Sequence, residues 1–257
     1  MKIVNLQDNF QKLINMAFYL IGTGMKNNSI GADALEQLQK CDKVYLENYT
    51  VNFPYPIEEL EKIYNVSIEE LDRSKVEDES ILEECKNLEI ALLVYGDSLS
   101  ATTHMQLVLE AKKKGIKTKI FHNASIMITI AETGLSLYKF GKVCSMPNWS
   151  EHTNKPTSFM NYIKDNNSIS AHTLILTDIG LEIKNAIEQL LESAKKESVE
   201  LPKKIICISN AGTPNQKIFF ESPISLAKKE IPMPFCLIIP NNLHFMELEA
   251  IEEMSKN

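Results

Sequence analysis

The run Leu88-Glu89-Ile90-Ala91-Leu92-Leu93-Val94-Tyr95, stopped by Gly96-Asp97, constrains the fold of this chain more than any other segment. It is far shorter than the roughly 20 apolar residues a membrane-spanning helix needs. It is also too continuously apolar for a strand with one face in water. A run of this length ending at a turn signal reads as a strand buried on both faces, as in a parallel sheet covered by helices. Ala17-Phe18-Tyr19-Leu20-Ile21 before Gly22 has the same character, and Lys43–Glu47 and Lys117–Phe121 extend the set. Helical patterns separate these strands over residues 29–40, 57–64, 78–87 and 103–114, the first with Ile30, Ala34, Leu35 and Leu38 on one face. Strands alternating with crossover helices predict a parallel α/β sheet.

Beyond His122 to Ser125 the pattern changes, and a domain boundary is expected there. A helix over 126–133 precedes an apolar stretch, 138–149, broken by Gly141 and Pro147. Helices are expected over 157–165 and 181–197, strands over 173–176, 204–209, 216–220 and 235–239, and a last helix over 243–254. The expected organisation is an N-terminal α/β domain over 16–121 and a C-terminal α/β domain over 122–257. Residues 1–15 form an extension, either a short amphipathic helix or a segment before a start at Met16. That stretch lacks the continuous apolar core of a signal peptide.

Composition narrows the function classes. The 257 residues are 44% hydrophobic and 24% charged, which suits a globular protein and excludes collagen-like and disulfide-scaffold classes. A net charge of −7 argues against a protein that works by gripping nucleic-acid phosphates. The five cysteines are scattered, with no CxxC spacing, so neither a structural zinc site nor a disulfide framework is expected.

Small and polar residues gather after the apolar strands, where an open α/β sheet binds ligands. Gly22-Thr23-Gly24 begins a dinucleotide-type turn but lacks the third glycine, because Asn27 occupies that position. YGDSLSATTH, residues 95–104, sets Asp97, Ser98, Ser100, Thr102, Thr103 and His104 at the end of the strongest strand. A carboxylate and hydroxyls there suit either a ligand's polar groups or the capping of the next helix. HNASIM, residues 122–127, repeats the arrangement one strand later. Asp178, Ala211-Gly212 and His244 follow later strands, and His244 opens the final helix, where capping is the simpler role. Nothing in the spacing matches a Ser/His/Asp triad, a P-loop or an HExxH metal site.

Taken in order, FYLIGTGM, GDSLSATTH, HNASIM, LYKFG, HTLILTDI, NAGTPNQKI and LHFMELE resemble the diphthine synthases, members of the tetrapyrrole methylase superfamily of class III methyltransferases. The resemblance runs from Met16 to Met254. It implies two α/β domains with a cofactor cleft between them, S-adenosyl-L-methionine as methyl donor and S-adenosylhomocysteine as product. It further implies a cytoplasmic homodimer that methylates the amino group of a 3-amino-3-carboxypropyl histidine on translation elongation factor 2, a step of diphthamide biosynthesis. Carried over by motif, the cofactor contacts are Met25, Asp97, Ser100, Ser125, Ile126, Thr177, Ala211 and His244. The chain departs from the family pattern at Thr23, Met25, Tyr95 and Ser98, the last two standing where proline is common. A short segment after Asp178 favours trimethylation over a series that also forms a methyl ester.

The chemistry the resemblance implies is in-line displacement at a sulfonium methyl by a neutral amine, without metal or covalent enzyme intermediate. An α-amino group with a pKa of about 7.7–8.0 is partly neutral near pH 7, so a strong base is not required. His104 or water would carry the proton away. Two competing readings are a tetrapyrrole C-methyltransferase, disfavoured by a single arginine, Arg73, and a non-catalytic scaffold of the same fold. The expected partners include neither nucleic acid nor a membrane.

Overall fold

A computed structural model of the chain describes residues 17–256 except 52 and 79. The extension expected over 1–15 lies outside the described residues. The chain divides into two compact units, one ending at Met127 and the other beginning at Ile128.

In the first unit β1 (Ala17–Gly22), β2 (Lys43–Glu47), β3 (Glu69–Leu71), β4 (Glu89–Val94) and β5 (Lys117–Phe121) form one sheet in the order β3-β2-β4-β1-β5. All neighbouring strands are parallel, as the continuous apolar runs predict. Alternation along each strand feeds two cores. Phe18, Leu20, Ile90, Leu92 and Val94 pack with Leu107, Val108 and Ala111 of the helix Met105–Lys113. Tyr19, Ile21, Ala91 and Leu93 pack with Ala34 and Leu38 of the helix Ala32–Leu38, and with Leu60 and Tyr64 of the helix Ile57–Tyr64. The connection leaving β1 therefore covers one face and the connection leaving β4 the other. Their loops part at the C-terminal ends of adjacent strands, the place where an open α/β sheet forms a ligand crevice.

The second unit is built on β6 (Cys144–Met146), β7 (Thr173–Thr177), β8 (Ile205–Ser209), β9 (Lys217–Glu221) and β10 (Phe235–Ile239), in the order β6-β7-β10-β8-β9. Only β6 and β7 pair in parallel; the remaining ladders are antiparallel. Ile175, Ile205, Cys207 and Leu237 meet Ile163 of the helix Phe159–Ser168 and Ile187 and Leu190 of the helix Ile183–Lys196. The final helix spans Phe245–Met254. The five cysteines are free, and all but Cys41 are buried. Among the described residues no helix is long and apolar enough to cross a membrane.

Three local differences from the sequence expectations have physical causes. The first helix begins at Ala32 rather than Ser29, because the Ser29 hydroxyl bonds the carbonyls of Lys26 and Thr23 instead of capping a helix. β3 was not expected: Glu69 and Glu70 are exposed at the sheet edge and give no apolar signal. The helix expected over 126–133 is one α-turn, Ile126–Thr129, followed by a 3₁₀ turn.

Asn166 joins the second unit's layers. Its Oδ1 accepts from Lys142 N at 2.9 Å, and its Nδ2 donates to Lys142 O at 2.8 Å and to Thr173 Oγ1 at 2.9 Å. Asn166→Ala deletes all three bonds and leaves the hydroxyl of the buried Thr173 without this partner. It is expected to cost the second unit about 2–4 kcal/mol, read as an earlier urea transition of that unit; a loss near zero would contradict the assignment.

Candidate functional site

The loop after β1 is stitched to the loop after β4. Thr23 N donates to Val94 O at 2.8 Å, Gly24 N to Gly96 O at 2.9 Å, and Gly96 N back to Gly24 O at 3.0 Å. The approach is close enough that a Cβ on Gly22 would fall 2.6 Å from Gly96 O. Gly24 and Gly96 both adopt left-handed backbone, with φ of +75° and +74°, where glycine carries no steric penalty. Side chains extend the seam: Thr23 Oγ1 donates to Val94 O at 3.1 Å, and Met25 O accepts from Tyr55 OH at 2.7 Å and from Tyr95 OH at 3.3 Å.

Asp97, 8% exposed, ties this seam to the loop after β5. Its Oδ1 accepts from Leu99 N at 3.0 Å and Ser100 Oγ at 3.2 Å. Its Oδ2 lies 2.8 Å from His122 Nδ1 and accepts from Asn123 N at 3.0 Å. Burial works against the charge, but the Leu99 and Asn123 amides and the His122 ring outweigh it and hold the carboxyl below the usual aspartate range. Asn123 completes the junction, its Nδ2 donating to Gly22 O at 3.1 Å and Ser29 O at 2.8 Å. Residues 122–124 stay with the first unit through these bonds. Met25, Asp97, Ser100, Ser125 and Ile126 thus follow the C-terminal ends of β1, β4 and β5, with Ser125 buried against Gly96.

His104 lies inside the fold rather than on that rim. It is 1% exposed, with Nδ1 3.3 Å from Ser98 O and Nε2 3.4 Å from Tyr49 OH. Burial lowers its pKa, partly offset by Glu47 and by the Ser98 carbonyl. Its place in the fold is to fasten the backbone of the 97–104 loop. Ser98 is fully buried and its hydroxyl has no hydrogen-bond partner among the described residues.

In the second unit Thr177 ends β7 and Ala211 follows β8, so both lie beside the start of β10. Thr177 Oγ1 donates to Phe235 O at 2.6 Å, and Asn210, with φ of +48°, donates its N–H to Pro234 O at 2.8 Å. Thr177 and Ala211 are therefore brought together at one end of β10, and His244 comes from the segment that follows the opposite end.

His244 caps the last helix: its Nδ1 accepts from Met246 N at 3.3 Å, and its own N–H donates to Glu247 Oε2 at 2.9 Å. Glu247, only 3% exposed, also accepts from Ser136 N at 3.0 Å and from Lys139 Nζ. Burial opposes its charge, yet Lys139 and the Ser136 and His244 amides carry the carboxyl down to about 2. Lys139, His172 and Glu247 come from three of the motifs quoted above, LYKFG, HTLILTDI and LHFMELE. Neither they nor Asn123 was singled out from sequence; the signal available was only that each lies inside a motif.

The family of Tetrapyrrole (Corrin/Porphyrin) Methylases matches residues 17–226 of the chain. The chain is 33% identical to the diphthine methyl ester synthase of Schizosaccharomyces pombe, over 93% of this chain and 95% of that protein. It is 34% identical to the diphthine synthase of Archaeoglobus fulgidus, over 91% and 94% of the two chains. A crystal structure of diphthine synthase superposes with a TM-score of 0.84 at 32% identity, covering 93% of this chain and 96% of that chain. The chain belongs to the tetrapyrrole methylase family, and within it to the diphthine synthases.

The Asp97 clamp has a pH signature. Because its folded pKa is depressed, its contribution to stability is complete above the unfolded value of about 3.9 and is lost as pH falls below it. Urea unfolding between neutral pH and pH 3 is expected to show that the first unit of the Asp97→Asn variant loses less stability below about pH 4 than wild type. Equal slopes would remove the clamp from the account.

Proposed function

We propose that the protein transfers methyl groups from S-adenosyl-L-methionine to the amino group of the 3-amino-3-carboxypropyl histidine of translation elongation factor 2, three in succession, forming diphthine. The observation that carries this reading is the likeness to a diphthine synthase and a diphthine methyl ester synthase along nine-tenths of the chain. Trimethylation is favoured over ester formation by the short segment between Asp178 and the Glu-rich helix that follows it.

The donor set fits a sulfonium cofactor. Segments 22–25, 95–100, 122–127, 177–180, 209–213 and 242–245 contain no lysine or arginine, so no ammonium or guanidinium from them opposes a cationic ligand. Asp97 is the fixed negative charge of the first rim, and Ser100 and Ser125 supply hydroxyls beside the Met25 thioether. Thr177, Ala211 and His244 are the second unit's contacts. When bound, S-adenosyl-L-methionine supplies a methyl group on positively charged sulfur.

The chain's own residues bind and orient. A substrate amine with a pKa of about 7.7–8.0 is partly neutral near pH 7, so alignment supplies most of the acceleration. With both nitrogens of His104 engaged inside the fold, the proton released on each transfer passes to water. The enzyme works in the cytoplasm as a homodimer, with elongation factor 2 as its protein substrate.

Elongation factor 2 bearing the unmethylated aminocarboxypropyl histidine, incubated with this protein and S-adenosylmethionine, is expected to gain three methyl masses on the modified peptide. A fourth methyl labile to mild base would replace this reading with ester synthesis. No added methyl, with cofactor binding demonstrated, would overturn it.

A further inference from the structure

The segment before the last helix is pinned at successive backbone positions by side chains that touch no proposed ligand. Asn241 N donates to His172 Nδ1 at 2.9 Å, Asn242 O accepts from Lys139 Nζ at 2.9 Å, and His244 N donates to Glu247 Oε2 at 2.9 Å. Asn241 Nδ2 adds a bond of 3.0 Å to Asn167 Oδ1. Asn242, the second of these anchors, adopts left-handed backbone with φ of +40°, a region that asparagine tolerates better than most non-glycine residues.

The same bonds fix the hydrogen positions on both imidazoles. His172 is fully buried, and its Nδ1 is an acceptor for Asn241 N–H, so the ring hydrogen resides on Nε2. That nitrogen lies 3.5 Å from Glu247 Oε1 and has no hydrogen-bond partner among the described residues. Burial lowers the His172 pKa against the pull of Glu247, which keeps the ring neutral. His244 is arranged alike: Nδ1 accepts from Met246 N–H, which leaves Nε2–H on the solvent-exposed edge of the ring.

We infer that Glu247, His172 and Lys139 are positioning residues that hold His244 with Nδ1 engaged as an acceptor, so that its Nε2–H is offered to the cofactor as a hydrogen-bond donor. This rests on the cofactor role proposed for His244. Glu247 is the centre of the device. Its carboxylate fixes the His244 main chain, faces the His172 ring and holds Lys139, and Lys139 in turn holds Asn242. Glu247→Gln keeps the shape but places an amide N–H₂ where every neighbour is also a donor. The helix start then loosens and the His244 cap with it.

The test uses protein labelled with ¹⁵N at histidine, above the ordinary imidazole titration range near pH 6.5, together with calorimetric titration of S-adenosylhomocysteine. Wild type is expected to show His244 as the Nε2–H tautomer. Glu247→Gln is expected to show a tautomer mixture and an affinity about tenfold weaker, the loss of one well-placed hydrogen bond. Lys139→Met, which keeps an aliphatic stem, should move both readouts in the same direction and serves if the first variant folds poorly. Ile251→Val, a buried change on the same helix, should lower stability and move neither. An unchanged His244 tautomer in folded Glu247→Gln would overturn the inference. A wild type with the expected tautomer that binds no S-adenosylhomocysteine would instead overturn the methyltransferase reading and leave the positioning network standing.

Discussion

The Asp97 carboxylate accepts hydrogen bonds from both sides of the rim, and the geometry of the first unit's loops depends on it. One oxygen holds Leu99 and Ser100 of its own loop; the other holds His122 and Asn123 of the next. Asn123 then reaches Gly22 and Ser29, so the loops after β1, β4 and β5 become one body. A buried carboxylate is tolerable only when its lone pairs are filled, and here filling them is what brings the loops together. The glycine seam supplies the close approach, and Asp97 supplies the register.

The second unit repeats the device with Glu247. A nearly buried carboxylate gathers the Ser136 and His244 amides, Lys139 and the edge of His172 from segments far apart in sequence. In both units the motif residues that identify the family include the carboxylate that orders the loops, beside the residues assigned to the ligand. Two of the residues that depart from the family pattern bond within one seam: Thr23 donates to Val94 O, and Tyr95 to Met25 O.

Much of this was legible in the residues. β1 and β4 are continuous apolar runs, and a strand covered on both faces leaves that mark. Lys43–Glu47, Ile57–Tyr64, Lys117–Phe121 and Phe235–Ile239 are found with the bounds expected of them. β3 left no mark, because a three-residue edge strand with exposed glutamates has nothing to bury. The hubs were not legible for a different reason. Asn123 and Gly22 are 101 residues apart, and Ser136 and Glu247 are 111 apart, and periodicity reports only neighbours along one element. His104 shows the converse. A histidine in a polar loop after a strand suggests proton chemistry, but its burial and two partners make it a fastener.

The measurement that bears most directly on the account is calorimetric titration of S-adenosylhomocysteine into wild-type protein and into folded Asp97→Asn. Asparagine keeps the shape of the side chain but sets an N–H₂ against donors the carboxylate had satisfied. If the Asp97 junction builds the cofactor rim, wild type binds the ligand and the variant binds it at least about tenfold more weakly, the loss of one charge-assisted hydrogen bond or more. Equal affinities in the two proteins would show that the junction is not what holds the cofactor site together.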